Sequence, residues 1–283
     1  MEANRIGFIG FGEVGRAFSQ AMRARGAEVH YYDVAQKDPV DGMTFLPLEE
    51  LVERCDIILS TAATHVAVAV AKTTAPLLTA QKTYADMNST SAMVKRQIAQ
   101  IIARSKADFV EGAILSAVGE AGAKASILVA GERAEAFARR MNELGLVNVK
   151  YFSPNVGEAS QVKMLRSIFS KGVECLLLEM LTAGRRAGIA DYLWNDIVDF
   201  MTRHSFQGVA ENWIKTHPLA CERRYHEMTQ VLETLEELDV EPIMTRGTTE
   251  FLKRSAESGL ASRFAKKPET FWEVPDELGR VRG

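Results

Sequence analysis

The chain is poor in the residues that build covalent or metal frameworks. Its 283 residues include three cysteines, Cys55, Cys175 and Cys221, widely spaced and without a C-x-x-C pair. Such thiols fit a reducing compartment better than a disulfide framework or a zinc site, so no metal is expected. No apolar run approaches the roughly 18 residues that a membrane span requires. The opening MEANRIGFIGFG lacks the charged start, apolar middle and small-residue cleavage site of a secretory leader. A cytoplasmic protein without a membrane partner is the expectation. Charge of one sign is missing too: 34 Lys and Arg against 37 Asp and Glu leave a formal −3, which offers no basic face to nucleic acid. There is no repeat and no low-complexity stretch. What the chain has is length, enough for two cores at about 150 residues each.

The first half reads as alternating strands and helices. Arg5 to Ile9 is a short β-favouring run that stops at glycines, and Glu13 to Arg25 carries Val14, Ala17, Phe18, Ala21 and Met22 at helical spacing. Gly26 closes that helix, and Glu28 to Tyr32 supplies a second strand ending at Asp33. Further strands are expected at 56–60, 83–87, 108–114, 126–130 and 147–152, with helices such as 66–75 and 93–104 between them. The expected fold is α/β, a doubly wound, mostly parallel Rossmann sheet. Ser153, Pro154, Asn155 and Gly157 then break the pattern, and only helices follow, near 158–188, 192–203, 224–238 and 244–258, with an irregular tail from Lys266. The reading is a dinucleotide-binding domain over 1–157 and an all-α domain over 158–283.

Gly10, Gly12 and Gly15 spell G-x-G-x-x-G, a weak signal alone. Between a strand and a helix each glycine acquires a physical role. The first permits the tight turn, the second close backbone approach to a pyrophosphate, and the third close packing of helix on strand. Phosphates would sit on the free N–H groups of the turn GFGEVG, with Phe11, Glu13 and Val14 between the glycines. Asp33 follows Gly15 by 18 residues, near the roughly 20-residue offset of a ribose-binding carboxylate. A carboxylate there repels a 2′-phosphate, which favours NAD; Lys37 leaves NADP open. A turn that serves packing only is the competing reading.

Three further stretches carry polar groups. AILSAVGEAGAKAS, with Ser116 its first hydroxyl, reads as a ligand-approaching loop or as a plain surface loop. DMNSTS lies where a strand meets a helix, so its hydroxyls either face a ligand or cap the helix from Ser89, Thr90 or Ser91. Lys163, Ser167, Ser170, Lys171 and Glu174 share one stripe of an otherwise apolar helix, which faces either water or a cleft. In a cleft, a partly buried lysine has a lowered pKa suited to proton transfer.

Together these stretches resemble the β-hydroxyacid dehydrogenase superfamily, which includes 3-hydroxyisobutyrate and 6-phosphogluconate dehydrogenases. GFIGFGEVG resembles its cofactor fingerprint, DMNSTS its D-x-S-T segment, ILSAVGEAGAKAS its P-V-S-G-G-x-x-G-A loop, and GEASQVK its lysine segment. The resemblance implies Lys163 as general acid/base, Ser116, Asn88, Ser89 and Ser167 as substrate-binding, and a small β-hydroxy acid as substrate. Lys163 would take the hydroxyl proton while the nicotinamide accepts hydride. Ala117, Val118, Ala92 and Ser167 depart from the family pattern. The second half is more similar to a less characterised phosphogluconate-dehydrogenase-like branch, in which Arg166, Ser167 and Lys171 fit. Arg223 and Arg224 motivate an alternative, oxidation followed by decarboxylation; a non-catalytic dinucleotide sensor is another, and an imine reductase a further one that Lys163 speaks against. The apolar run Val173 to Leu181 leads to the expectation of a homodimer.

Overall fold

The computed structural model describes residues 5–35, 40 and 42–280; Lys37 lies outside them. The first half runs β1 (Arg5–Ile9), α1 (Glu13–Ala24), β2 (Glu28–Tyr32), β3 (Thr44–Phe45), α2 (Leu48–Arg54), β4 (Ile57–Ser60), α3 (Ala67–Thr74), β5 (Thr83–Asp86), α4 (Ala92–Ala103), β6 (Asp108–Ile114), α5 (Val118–Ala121), β7 (Ile127–Ala130), α6 (Ala134–Glu143) and β8 (Val149–Ser153). The second runs α7 (Glu158–Arg186), α8 (Ala190–Arg203), α9 (Phe206–Glu237), α10 (Ile243–Glu257) and α11 (Glu273–Arg280). Two compact units result, Met1–Ile168 and Phe169–Gly283, so the first turns of α7 stay with the sheet.

In the first unit the eight strands order as β3-β2-β1-β4-β5-β6-β7-β8. All neighbours pair in parallel except β6 with β7. This is the doubly wound sheet expected of alternating strands and helices. Strand alternation sends Ile6 and Phe8 of β1 to one face, under Phe18 and Met22 of α1 and Phe137 and Met141 of α6. Ile9 goes to the other, with Leu51 of α2, Ala67 and Ala71 of α3 and Ile98 and Ile102 of α4. Burial of both faces is why these strands read as nearly unbroken apolar runs. Chain order reverses between β1 and β4, and the carboxyl ends of those two strands open the crevice where such sheets hold ligands.

The second unit is helical. Gly184 of α7 brings the chain close to Leu193 and Ala190 of α8, and α9 packs along α10. Glu179 of α7 accepts hydrogen bonds from the backbone N–H of Met244 and Thr245 and from the Thr245 hydroxyl, which caps α10. Its three tryptophans, Trp194, Trp213 and Trp272, are 46%, 51% and 63% exposed.

Two expectations for this half need correction. The helix expected at 224–238 begins at Phe206, capped by Ser205, whose hydroxyl accepts from the Gly208 N–H at 3.1 Å. Pro218 lies inside it, buried, and does not end it, because packing overrides the local helix-breaking tendency. The tail expected to be irregular closes with α11, where Pro275 sits in the first turn, Val274 is buried and Glu277 pairs with Arg263.

Candidate active site

Gly10 ends β1 with φ +92°, and a Cβ there would lie 2.7 Å from the backbone of Ala62. The Gly10 carbonyl accepts the Thr61 hydroxyl at 2.6 Å, which ties the turn to the end of β4. Gly15 meets the Gly10 carbonyl in the same way, at 2.7 Å from its would-be Cβ. Gly12 differs: a Cβ on it would meet nothing within 4 Å. It caps α1 without any side-chain hydrogen bond, so no N-cap side chain answers the first N–H groups of that helix. Phe11 is fully buried and stacked on Tyr31, centroids 4.0 Å apart, and Val14 packs on the same core. These two therefore serve the turn through backbone, while Glu13 is exposed beside Gly119.

Asp33 receives the Phe11 N–H at 2.7 Å on one oxygen and the Ala35 N–H at 2.8 Å on the other. It thus braces the glycine turn and also edges the adjacent cavity. That cavity, about 560 Å³, is lined by Gly10, Gly12, Asp33, Thr61, Ala63, Val66, Val70 and Thr73. A mostly apolar pocket edged by a carboxylate and by the glycines that lead into α1 fits the adenosine and pyrophosphate of a dinucleotide. The wall from Thr61 to Thr73 was not read from sequence, because its residues are small and lack any motif.

Around the ends of β5 and β6 the polar side chains are buried. Asp86 and Lys95 are fully enclosed and paired at 2.7 Å, and the Lys95 ammonium also donates to the carbonyls of Asp86 and Gly112. The Asn88 amide nitrogen donates to the Asp86 carboxylate and, at 2.9 Å, to the Ser60 hydroxyl. Its carbonyl oxygen and the Thr90 hydroxyl, both buried, have no protein partner. Ser89 is exposed, and Ser91 is the residue that caps α4. Ser116 is half-buried; its hydroxyl accepts the Ser126 N–H at 3.1 Å, so it also closes the mouth of its own loop.

Glu111, fully buried on β6, accepts the backbone N–H groups of Gly157 and Ser160 and so caps α7. Ala159, Ser160, Lys163 and Ser167 then form the inward stripe of that helix. Lys163 is half-buried; burial, and secondarily the charge of Lys95, lowers its pKa from the ordinary lysine range. The Ser167 hydroxyl donates to the Lys163 carbonyl at 3.0 Å. The Arg166 guanidinium holds the Leu115 carbonyl at 3.0 Å, which brings the start of α7 against the residue before Ser116. Sequence reasoning missed Lys95 and Glu111. Glu111 left one signal, a charge at a core position of an otherwise apolar strand. Arg223 and Arg224 lie in mid-helix and bond Glu227 and Thr216 of α9 itself.

A glycine turn between β1 and α1 and a carboxylate at the end of β2 define a Rossmann dinucleotide-binding protein. Comparison extends this to both halves. Residues 1–94 match the D-isomer specific 2-hydroxyacid dehydrogenase NAD binding domain, and residues 185–255 match a domain of unknown function, DUF1932. An uncharacterized 28.5 kDa protein of Methanothermus fervidus is 28% identical over 89% of this chain and 99% of its own. A solved protein of unknown function, described by its structural similarity to 3-hydroxyacid dehydrogenases, is 30% identical over 89% of this chain and 97% of its own, with a TM-score of 0.59. The chain belongs to that β-hydroxyacid dehydrogenase-like family. An imine reductase from Myxococcus stipitatus in complex with NADP+ shares the fold at 18% identity and TM-score 0.77, over 93% of this chain and 100% of its own. This is an NAD(P)-binding protein of dehydrogenase type, and among the described residues no helix is long and apolar enough to cross a membrane.

Proposed function

We propose that the protein oxidises a small β-hydroxy acid with NAD as the preferred cofactor. The observation that carries this reading is Lys163: a half-buried lysine with a lowered pKa on a helix anchored beside the Ser116 loop. A bound nicotinamide supplies hydride acceptance. Lys163, as the free amine, takes the proton of the substrate hydroxyl and returns it in the reverse direction. Ser116, Asn88 and Ser89 hold the substrate, and Ser167 steadies the reacting oxygen once its hydroxyl leaves the Lys163 carbonyl. Gly10, Gly12 and Gly15, with the backbone of Phe11, Glu13 and Val14, receive the pyrophosphate. Asp33 takes the ribose hydroxyls and disfavours a 2′-phosphate.

The test is reduced-cofactor formation from NAD and NADP across a panel of β-hydroxy acids, with a cyclic imine run in the reductive direction. Turnover on one class of acid is expected, lowered about 10²- to 10⁴-fold in Lys163→Ala, with NADH affinity retained. Near-native turnover in the variant sinks the acid–base role. Release of CO2 in step with NADH selects the decarboxylating variant of the reaction; tight NADH binding with no turnover on any substrate points to a sensor.

The second unit supports a homodimer. Leu178, Tyr192, Phe206 and Trp213 are 61%, 73%, 49% and 51% exposed, and Val173 and Leu176 of the apolar run also reach the surface. Apolar side chains in that number are covered in stable soluble proteins. A second copy of the same helical unit, carrying the same faces, is the occupant we assign to them.

A further inference from the structure

Helices α3 and α4 pack on each other in the first unit, and towards their carboxyl ends a second cavity of about 560 Å³ opens between them. It is separate from the dinucleotide cavity, which meets α3 at Ala69, Val70, Thr73 and Thr74, residues that do not line this one. From α4 it is lined by Gln97, Gln100, Ile101 and Arg104, at i, i+3, i+4 and i+7, so one stripe of the helix faces it. Lys72 of α3 stands on the other side, and Pro76, Leu78 and Ile101 give it an apolar part.

The polar groups of this cavity are not used by the fold. Lys72, Gln97, Gln100 and Arg104 make no hydrogen bond or ion pair to any described residue. Cations belong near the negative end of a helix, but these helix ends are already answered. The carbonyls of Ile101, Ile102 and Ala103 accept the N–H groups of Arg104, Ser105 and Lys106, and those of Ala69 and Val70 accept the Thr73 and Thr74 hydroxyls. Ser105, also in the lining, is engaged too: its hydroxyl donates to the Ile102 carbonyl and accepts the Ala107 N–H. Among the described residues no carboxylate lines the cavity. What remains is two positive charges and two amides, all able to donate. We propose that this cavity is a second ligand site, for a small oxyanion: a carboxylate or phosphate carried on a short apolar body. The Arg104 guanidinium offers a planar fork for two oxygens and Lys72 a point charge. Gln97 and Gln100 donate to the remaining oxygens, and Pro76, Leu78 and Ile101 take the apolar body.

The site is independent of the reaction at Lys163, and its test needs no substrate. The intact protein, saturated with NADH so that the glycine turn is filled, is titrated in a calorimeter with citrate and with inorganic phosphate. Neutral pH and low ionic strength keep exposed charges unscreened. Saturable binding of at least one anion is expected; tighter citrate marks a carboxylate ligand, tighter phosphate a phosphate ester. Lys72→Gln and Arg104→Gln should each weaken binding about tenfold. Gln100→Glu keeps both cations, adds a carboxylate to the lining and should weaken it as much. Lys150→Gln removes the same charge from β8 and should bind as the native protein does. All four side chains are exposed, so the variants should melt and bind NADH as the native protein does. Failure of both anions to saturate the native protein overturns the proposal. So does binding that survives loss of Lys72 and Arg104, or that falls equally in Lys150→Gln.

Discussion

Gly10 and Gly12 belong to one motif and do opposite work. Gly10 is required by the protein: its positive φ and the backbone of Ala62 leave no room for a side chain. Gly10→Ala should therefore cost about 1–3 kcal/mol in backbone strain alone, with more from the clash, and appear as a lowered melting temperature or as insoluble protein. Gly12 meets no such constraint from the protein, and in the proposed function its place is against the ligand. Gly12→Ala should melt close to the native protein yet bind NADH at least about tenfold more weakly, a loss of about 1.4 kcal/mol, by calorimetry. Equal damage to stability and binding in the two variants would refute this division. The motif was legible because glycine spacing has a local cause, a turn of few residues. Lys95 and Glu111 were not, since buried and solvated charges look alike in a sequence until strand pairing brings β5 beside β6.

At the scale of elements, α7 is held at two places by carboxylates that each close the start of a helix. Glu111 caps α7 itself, and Glu179, carried on α7, caps α10. Burial pushes the Glu179 carboxyl up, but the bonds from Thr245 and from the Met244 and Thr245 N–H groups outweigh it and hold it below the usual glutamate range. A folded-state pKa below the unfolded one adds stability above the ordinary glutamate pKa, which disappears as pH falls through the folded value. Glu179→Gln should thus lower stability near neutral pH by about 1 kcal/mol, the usual worth of a cap, and narrow its difference from the native protein below about pH 4. A difference between the two proteins that holds constant down to acid pH, by thermal melts, would refute the capping account. Most elements could be read because apolar spacing is a local property: β1, β2 and α7 fall within two residues of their expected ends. Helices α9 and α11 could not, because what carries α9 through Pro218 and secures α11 at Val274 is contact with residues distant in sequence.

For the whole molecule, the apolar residues on the helical unit set the expectation. Light scattering at micromolar concentration should give about twice the 31.3 kDa chain mass, and a charge placed on that surface, as in Leu178→Glu, should shift the protein toward monomer. A native monomer would leave those side chains without the partner proposed for them. The order of layers was open to sequence reasoning, since alternating strands and helices followed by helices alone admit few architectures. Which residues remain outside when one chain has folded was not, because that depends on how the helices turn about their axes.

The distribution of tryptophan gives this molecule a built-in partition of its own fluorescence. All three indoles stand beyond residue 168 and none in the nucleotide-binding half. Emission excited at 295 nm therefore speaks only for the helical unit, and from side chains exposed enough to sense a neighbour. A loss of that signal on heating dates the melting of the helices alone, while bound NADH, with its own emission near the glycine turn, dates the melting of the sheet. Two colours read from one unlabelled chain would tell whether its halves come apart together.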